Sequence, residues 1–144
     1  MTARVLLALI VLIAAFNFLG LYGGWYWAFW WYDIPMHLAG GMWIALLFSY
    51  LGEERSALRE RIGRRNFFLV IVAGTLVVGL LWELFEYSSD VFLFKKYAFA
   101  AIPREIFRDS LIDLLNDLLG AAAAIGARSY SANMSARSSP SFKK

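Results

Sequence analysis

Long apolar stretches of this chain carry carboxylates but no bases. Asp33, Glu83, Glu86, Asp113 and Asp117 lie in them, with the single histidine, His37. No Lys or Arg occurs between Val5 and Glu54, between Asn66 and Phe94, or between Asp109 and Ala127. A buried carboxylate with no basic neighbour on its own helix must protonate, bind a cation, or take positive charge from elsewhere. The fold has to bring these groups to one another or to water.

The rest of the chain says which solvent surrounds them. Of the 144 residues, 60% are hydrophobic, and the mean hydropathy is +0.58. Ordinary soluble domains are less apolar. Four segments of roughly 17 to 21 residues, near Val5–Leu21, Ile34–Leu51, Phe67–Tyr87 and Ser110–Ala127, match the length a helix needs to cross the hydrocarbon. The sequence therefore predicts an all-α polytopic membrane protein: a four-span domain over residues 1–127, then a basic, Ser-rich, disordered tail over 128–144. The first segment is read as a retained span, because Phe16-Asn17-Phe18-Leu19 offers no small-residue cleavage site. Val91 to Phe107 is apolar but broken by Lys95, Lys96 and Pro103, and reads as an outer interfacial or re-entrant piece.

Basic residues set the orientation. Arg4, the loop cluster Arg55, Arg59, Arg61, Arg64 and Arg65, and the tail residues Arg128, Arg137, Lys143 and Lys144 fall on one side. Lys95, Lys96, Arg104 and Arg108 fall on the other. The positive-inside rule then puts both termini in the cytoplasm of a plasma or inner membrane. The aromatic run from Trp25 to Tyr32 falls at the outer interface, where indole and phenol rings settle. No basic patch is interleaved with exposed aromatics, which argues against nucleic acid as a partner. Cysteine is absent, which excludes disulfides and thiolate chemistry. Membrane lipids are the expected surroundings, and a homo- or hetero-oligomer remains open.

With this topology the polar residues share one depth. His37 lies one turn below Asp33, about 6 Å at ~1.5 Å per residue. Glu83 and Glu86 arrive at the same level from the third span, and Asp109, Asp113, Asn116 and Asp117 leave it on the fourth. Each set occupies one helical stripe: i,i+4 for Asp33 and His37; i,i+3 for Glu83 and Glu86; i,i+4,i+7,i+8 for the last four. Intramembrane ionisable groups face a bundle interior or a wet cavity. The stripes should therefore meet in an outward-opening pocket. One His among carboxylates suits a hard or borderline divalent cation, Mg, Mn, Fe or Zn.

Plain structural roles stand beside this reading. Asp33 before Pro35 suits a helix start, and Asp109 suits an N-cap. His37 and Asn17 suit interhelical hydrogen bonds. Glu83 and Glu86 suit a solvated interface if the third span ends early. Gly40, Gly41, Gly74, Gly79 and Gly120 suit close helix packing.

The pattern Tyr32-Asp33-x-x-x-His37-x-x-Gly40-Gly41, then Trp82-Glu83-x-x-Glu86, then Asp109-x-x-x-Asp113-x-x-Asn116-x-x-x-Gly120-Ala121 resembles the YjdF-like family of small bacterial membrane proteins. It also resembles the broader VanZ-like group. The resemblance spans Tyr32 to Ala124. It implies a multi-span helical membrane protein with Asp33, His37, Glu83, Glu86, Asp109, Asp113 and Asn116 as family positions; Asp117 is outside that pattern. It also implies a cell-envelope setting, though family members have more spans than four.

Three functional readings follow. In the first, a metal-dependent enzyme acts on a lipid-linked or envelope substrate entering from the outer leaflet. Glu83 and Asp113 serve as catalytic carboxylates, and Asp33, His37, Glu83, Glu86, Asp109, Asp113, Asn116 and Asp117 are candidate metal ligands. Lys95, Lys96, Arg104 and Arg108 then hold an anionic head group. The second is a cation- or proton-binding module without catalysis. The third is a structural or accessory membrane subunit whose polar network locks the bundle.

Overall fold

The computed structural model describes residues 2–93 and 104–138, although the side chains at positions 105, 132, 133 and 135–138 lie outside that description. The chain runs as α1 (Ala3–Tyr22), a single-turn α2 (Trp25–Ala28), α3 (Asp33–Ser49), a π-helical turn (Tyr50–Arg55), α4 (Leu58–Phe92) and α5 (Arg104–Ser138). Among the described residues there are no strands. Among the described residues, four helical segments are long and apolar enough to cross a membrane: Ala3–Tyr22, Asp33–Arg55, Leu58–Phe92 and Ile106–Ser131. This is the expected all-α, four-span architecture.

The distribution of side chains fits lipid rather than water as the outer solvent. Leu84 and Phe85 remain 59% and 58% exposed, while Asp113 and Asp117 are each 4% exposed. On α5, Leu111, Leu115 and Leu119 form the outer i,i+4,i+8 stripe, and Asp113, Asn116, Asp117 and Gly120 face inward. In water that arrangement would expose the apolar face and bury the polar one, the reverse of what stabilises a soluble helix.

Packing between α3 and α5 is the most extensive in the bundle. Glycine makes it possible. A Cβ on Gly41 would land on the Asp117 backbone, and one on Gly120 would land on the carbonyl of Leu38. Lipid supplies no hydrophobic drive between helices, so close backbone approach and the van der Waals contact it allows must hold them together. Beneath this crossing, Ala45, Phe67, Ile71, Ala121 and Ala124 form an apolar cluster joining α3, α4 and α5.

Helix α1 lies at the edge, with only Leu6 and Gly20 buried. Polar side chains fasten it. The Trp43 indole donates to the Leu6 carbonyl (2.8 Å), and the Tyr32 hydroxyl donates to the Phe16 carbonyl (2.8 Å). Tyr26 donates to Asn17 Oδ1 (2.5 Å), so Asn17 has the bonding role expected of it, with a partner on α2.

Helix α4 is one 35-residue element broken at Gly63, whose φ of 79° and ψ of 161° are cheap only for glycine. Before the kink lies a short arginine-rich turn; after it comes the span. Two boundaries differ from expectation. The span on α5 continues as helix through Ser138, so the described part of the expected disordered tail is helical. No proline or glycine interrupts residues 127–138, and a helix already nucleated in the span propagates at little cost. The expected outer piece, Val91 to Phe107, is helical at both ends, and residues 94–103 lie outside the described residues.

Candidate functional site

The carboxylates meet around His37. The side chain is 5% exposed and sits one turn into α3, facing α4 and α5. Its Nε2 lies 3.5 Å from Asp33 Oδ1, 3.9 Å from Glu83 Oε1 and 3.9 Å from Asp113 Oδ1. Its Nδ1 lies 3.4 Å from Asp117 Oδ1. One imidazole thus touches acids from three helices, on both of its nitrogens.

Helix geometry explains the arrangement. Asp33 opens α3, and its side chain reaches His37 across one turn. Glu83 and Glu86 lie on the α4 face turned toward α3. Asp113 and Asp117 share an inward face of α5 at i,i+4. The α3–α5 crossing brings Asp117 beside Gly40 and Gly41, with Asp117 Oδ1 3.8 Å from where a Gly40 Cβ would stand. Gly79 on α4 clears room for the same carboxylate, since a Cβ there would come within 2.6 Å of Asp117 Oδ2. Glycines from two helices therefore shape the slot that holds Asp117.

Among the described residues, two sets each bring their ligand atoms within 4.8 Å of one another: Asp33, His37 and Asp113; and His37, Glu83 and Glu86. The two sets share His37. Ligands held about 2.1 Å from a common cation stand roughly 3–4 Å apart, the range of the Nε2–carboxylate separations here. A protonated imidazole donating directly to a carboxylate would instead sit about 2.7–2.9 Å from it. Asp117 occupies a different position. It faces Nδ1, as a carboxylate does when it orients a histidine whose other nitrogen is free to ligate.

Hydrogen bonding leaves gaps at the same place. Glu83 Oε1 and Asn116 Nδ2 are buried and have no hydrogen-bond partner among the described residues. Ser110 lies against the Glu83 carboxylate, and Trp82 against that of Glu86. Buried polar atoms without partners are uncommon and costly, and across from Glu83 Oε1 stands the His37 imidazole, with Nε2 at 3.9 Å.

The eight residues singled out from the sequence divide as follows. Asp33, His37 and Asp113 supply the ligand atoms of one set, and His37, Glu83 and Glu86 those of the other. Asp117 touches the far side of the imidazole, and Asn116 is buried on the same face of α5. Asp109 is exposed one turn before Asp113 and belongs to neither set. Arg104 and Arg108 are exposed on the first turns of α5, at the end of the bundle where the cluster lies, and Lys95 and Lys96 lie outside the described residues. Sequence reasoning missed Ser110. Its i,i+3 spacing to Asp113 was the available signal, because it places the hydroxyl on the inward stripe.

Tyr26, above the cluster and outside the spans, feels its charge. Burial first, then the carboxylates of Asp33 and Glu86, push its phenol well above the ordinary value. It stays an O–H donor to Asn17.

Fold and cluster together define a class: a small polytopic helical membrane protein with an acid–histidine centre between three of its spans. The chain belongs to the family described as predicted membrane proteins (DUF2238), the YjdF family, which matches residues 2–132 and so takes in all four spans. No curated protein and no solved structure matches the chain.

Proposed function

We propose that this protein holds a divalent cation at His37 between α3, α4 and α5. We further propose that the centre serves a metal-dependent enzyme acting on a lipid-linked or envelope substrate from the outer leaflet. One observation carries the reading: His37 Nε2 is ringed by Asp33, Glu83 and Asp113 at ligand-to-ligand separations rather than hydrogen-bond lengths. Lone pairs facing each other across a shared space call for an electrophile at its centre. Oxygen and imidazole donors without thiolate suit Mg, Mn, Fe or Zn.

In this reading Asp33, His37, Asp113 and Glu83 are the ligands, and Glu86 completes the set. Asp117 fixes the imidazole tautomer through Nδ1. Asp109, exposed, and Asn116, beside the ligands, take no part in ligation. A cation held here would acidify a water and polarise a phosphoryl or acyl oxygen. Glu83, with one oxygen unpartnered, and Asp113 are placed to accept and return the proton. Arg104 and Arg108 would receive an anionic head group. The arginine balance puts this end of the bundle outside and both termini in the cytoplasm. Kinship with the VanZ-like group would suit an envelope substrate.

The test uses the full chain in phosphatidylcholine nanodiscs, dialysed against Mn²⁺ or Zn²⁺. Saturable, chelator-reversible uptake is expected, and Asp113→Asn and Glu83→Gln should weaken it by more than the roughly 10–100-fold typical of outer-sphere changes. No uptake by a protein with intact helical circular dichroism would overturn the reading. The same contacts also suit a second reading, in which a protonated His37 is the counter-charge that locks the bundle. In that case metal uptake is absent, and the two substitutions alter stability alone.

A further inference from the structure

The opposite end of the bundle carries a second feature, independent of the His37 centre. A groove of about 1060 Å³ opens there between α3, α4 and α5. Its floor is apolar, formed by Leu46, Phe67, Ile71 and Ala124, and its mouth carries Arg59, Arg64, Arg65 and Arg128. One carboxylate, Glu53, stands among them. It accepts from Arg59 Nη1 at 2.8 Å and from Arg128 Nη2 at 2.6 Å, so a single acid serves two guanidiniums. Arg64 and Arg65 make no hydrogen bond or ion pair among the described residues, and Glu54 and Glu60 are not part of the lining. Four guanidiniums against one carboxylate leave the mouth strongly positive.

Local structure builds this mouth. The π-helical turn Tyr50–Arg55 widens the end of the second span, with Ser56 Oγ capping the Leu51 carbonyl at 2.9 Å. The widened turn carries Glu53 to a point where Arg59, before the Gly63 kink, and Arg128, on α5, both reach it. The kink then sets Arg64 and Arg65 at the entrance of the groove rather than along the span. Such π-helical turns recur at binding sites.

We infer that the groove binds an anionic glycerophospholipid, its phosphate at Arg64, Arg65 and Arg128 and an acyl chain along the apolar floor. Charge complementarity selects the head group, since arginine forks match phosphate oxygens two at a time. Size selects the lipid over a free ion, because the volume sits at the upper end of the ~300–1,000 Å³ typical of organic ligand pockets. Basic pockets between transmembrane helices hold phospholipid head groups in this way.

The experiment places the full chain in phosphatidylcholine bilayers doped with spin-labelled phosphatidylglycerol or spin-labelled phosphatidylcholine, and reads the motionally restricted fraction of each. Phosphatidylglycerol should be preferred. The preference should fall about fivefold for each guanidinium removed in Arg64→Gln and Arg65→Gln. Ala123→Phe, which fills the groove without touching charge, should also remove it. Arg61→Gln, outside the lining, should leave it intact. Equal restriction of the two lipids would overturn the inference, as would an equal effect of Arg61→Gln. So would a preference that survives Ala123→Phe, or one abolished by inorganic phosphate; the first marks diffuse surface attraction and the second a free-anion site.

Discussion

Two adjacent glycines on α3 meet α5 differently, and replacing each by alanine tests how the site is built. At Gly40 an added Cβ would stand 3.8 Å from Asp117 Oδ1, which is ordinary contact. At Gly41 it would strike the backbone carbonyl of Asp117, which no rotamer change can move. The helices would have to part by roughly 1 Å or more to restore a normal separation. Overpacking of this kind costs about 1–3 kcal/mol, and a backbone neighbour puts Gly41 near the upper limit. Alanine returns roughly 0.5–1 kcal/mol of helix preference at either position. Gly40→Ala should therefore be neutral or slightly stabilising. Gly41→Ala should be destabilised by about 2 kcal/mol, a separation on the order of 5–10 °C in Tm. Thermal unfolding in one detergent, followed by circular dichroism, reads both. Gly41→Ala should also weaken divalent-cation uptake, because the residue displaced is the one that holds His37 Nδ1. Equal melting temperatures for the two variants would refute the close-crossing argument.

Asp117→Asn should reduce divalent-cation affinity by roughly 10–100-fold while leaving the ligand set intact, measured by equilibrium dialysis. Cation affinity should rise with pH, since ligation requires deprotonated carboxylates and a free imidazole nitrogen, and binding should release protons detectable in weakly buffered solution. Removing the cation with chelator should lower stability by about 2.7 kcal/mol relative to protein held at a hundred times its dissociation constant, seen as a drop in Tm. Tyr26→Phe should cost about 1 kcal/mol through loss of the bond to Asn17. The Tyr26 phenol is raised above its ordinary value of about 10 in the folded protein. Between the unfolded and folded values the folded state therefore binds more protons, and stability should fall as pH rises past about 10. Tyr26→Phe should flatten that slope in alkaline unfolding curves.

The four spans were legible in the sequence because hydrocarbon imposes a length and a composition that local residues meet by themselves. The shared depth of Asp33, His37, Glu83 and Asp113 was legible for the same reason, since rise per residue converts position into depth. Which acid would touch which nitrogen was not. Asp113 and Asp117 are one turn apart on one stripe, yet one faces Nε2 and the other Nδ1. That division depends on the rotation and crossing of α5 against α3, set by contacts of Gly41, Gly79 and Gly120 with residues far away in the chain. Asp109 shares the stripe but lies above the closed part of the bundle, so pattern alone could not separate it from its neighbours.

The arginine end shows the same boundary. Composition identified Arg59, Arg64, Arg65 and Arg128 as a signal for orientation. Only the tertiary structure joined Arg59 and Arg128 through Glu53, the second across 75 residues of chain, and placed an apolar groove beneath the four arginines. Sequence by itself determined the solvent, the number of crossings and the level at which charge is buried, because each follows from local chemistry. The tertiary structure decided which charges meet, because that is a property of how separate helices rotate and approach.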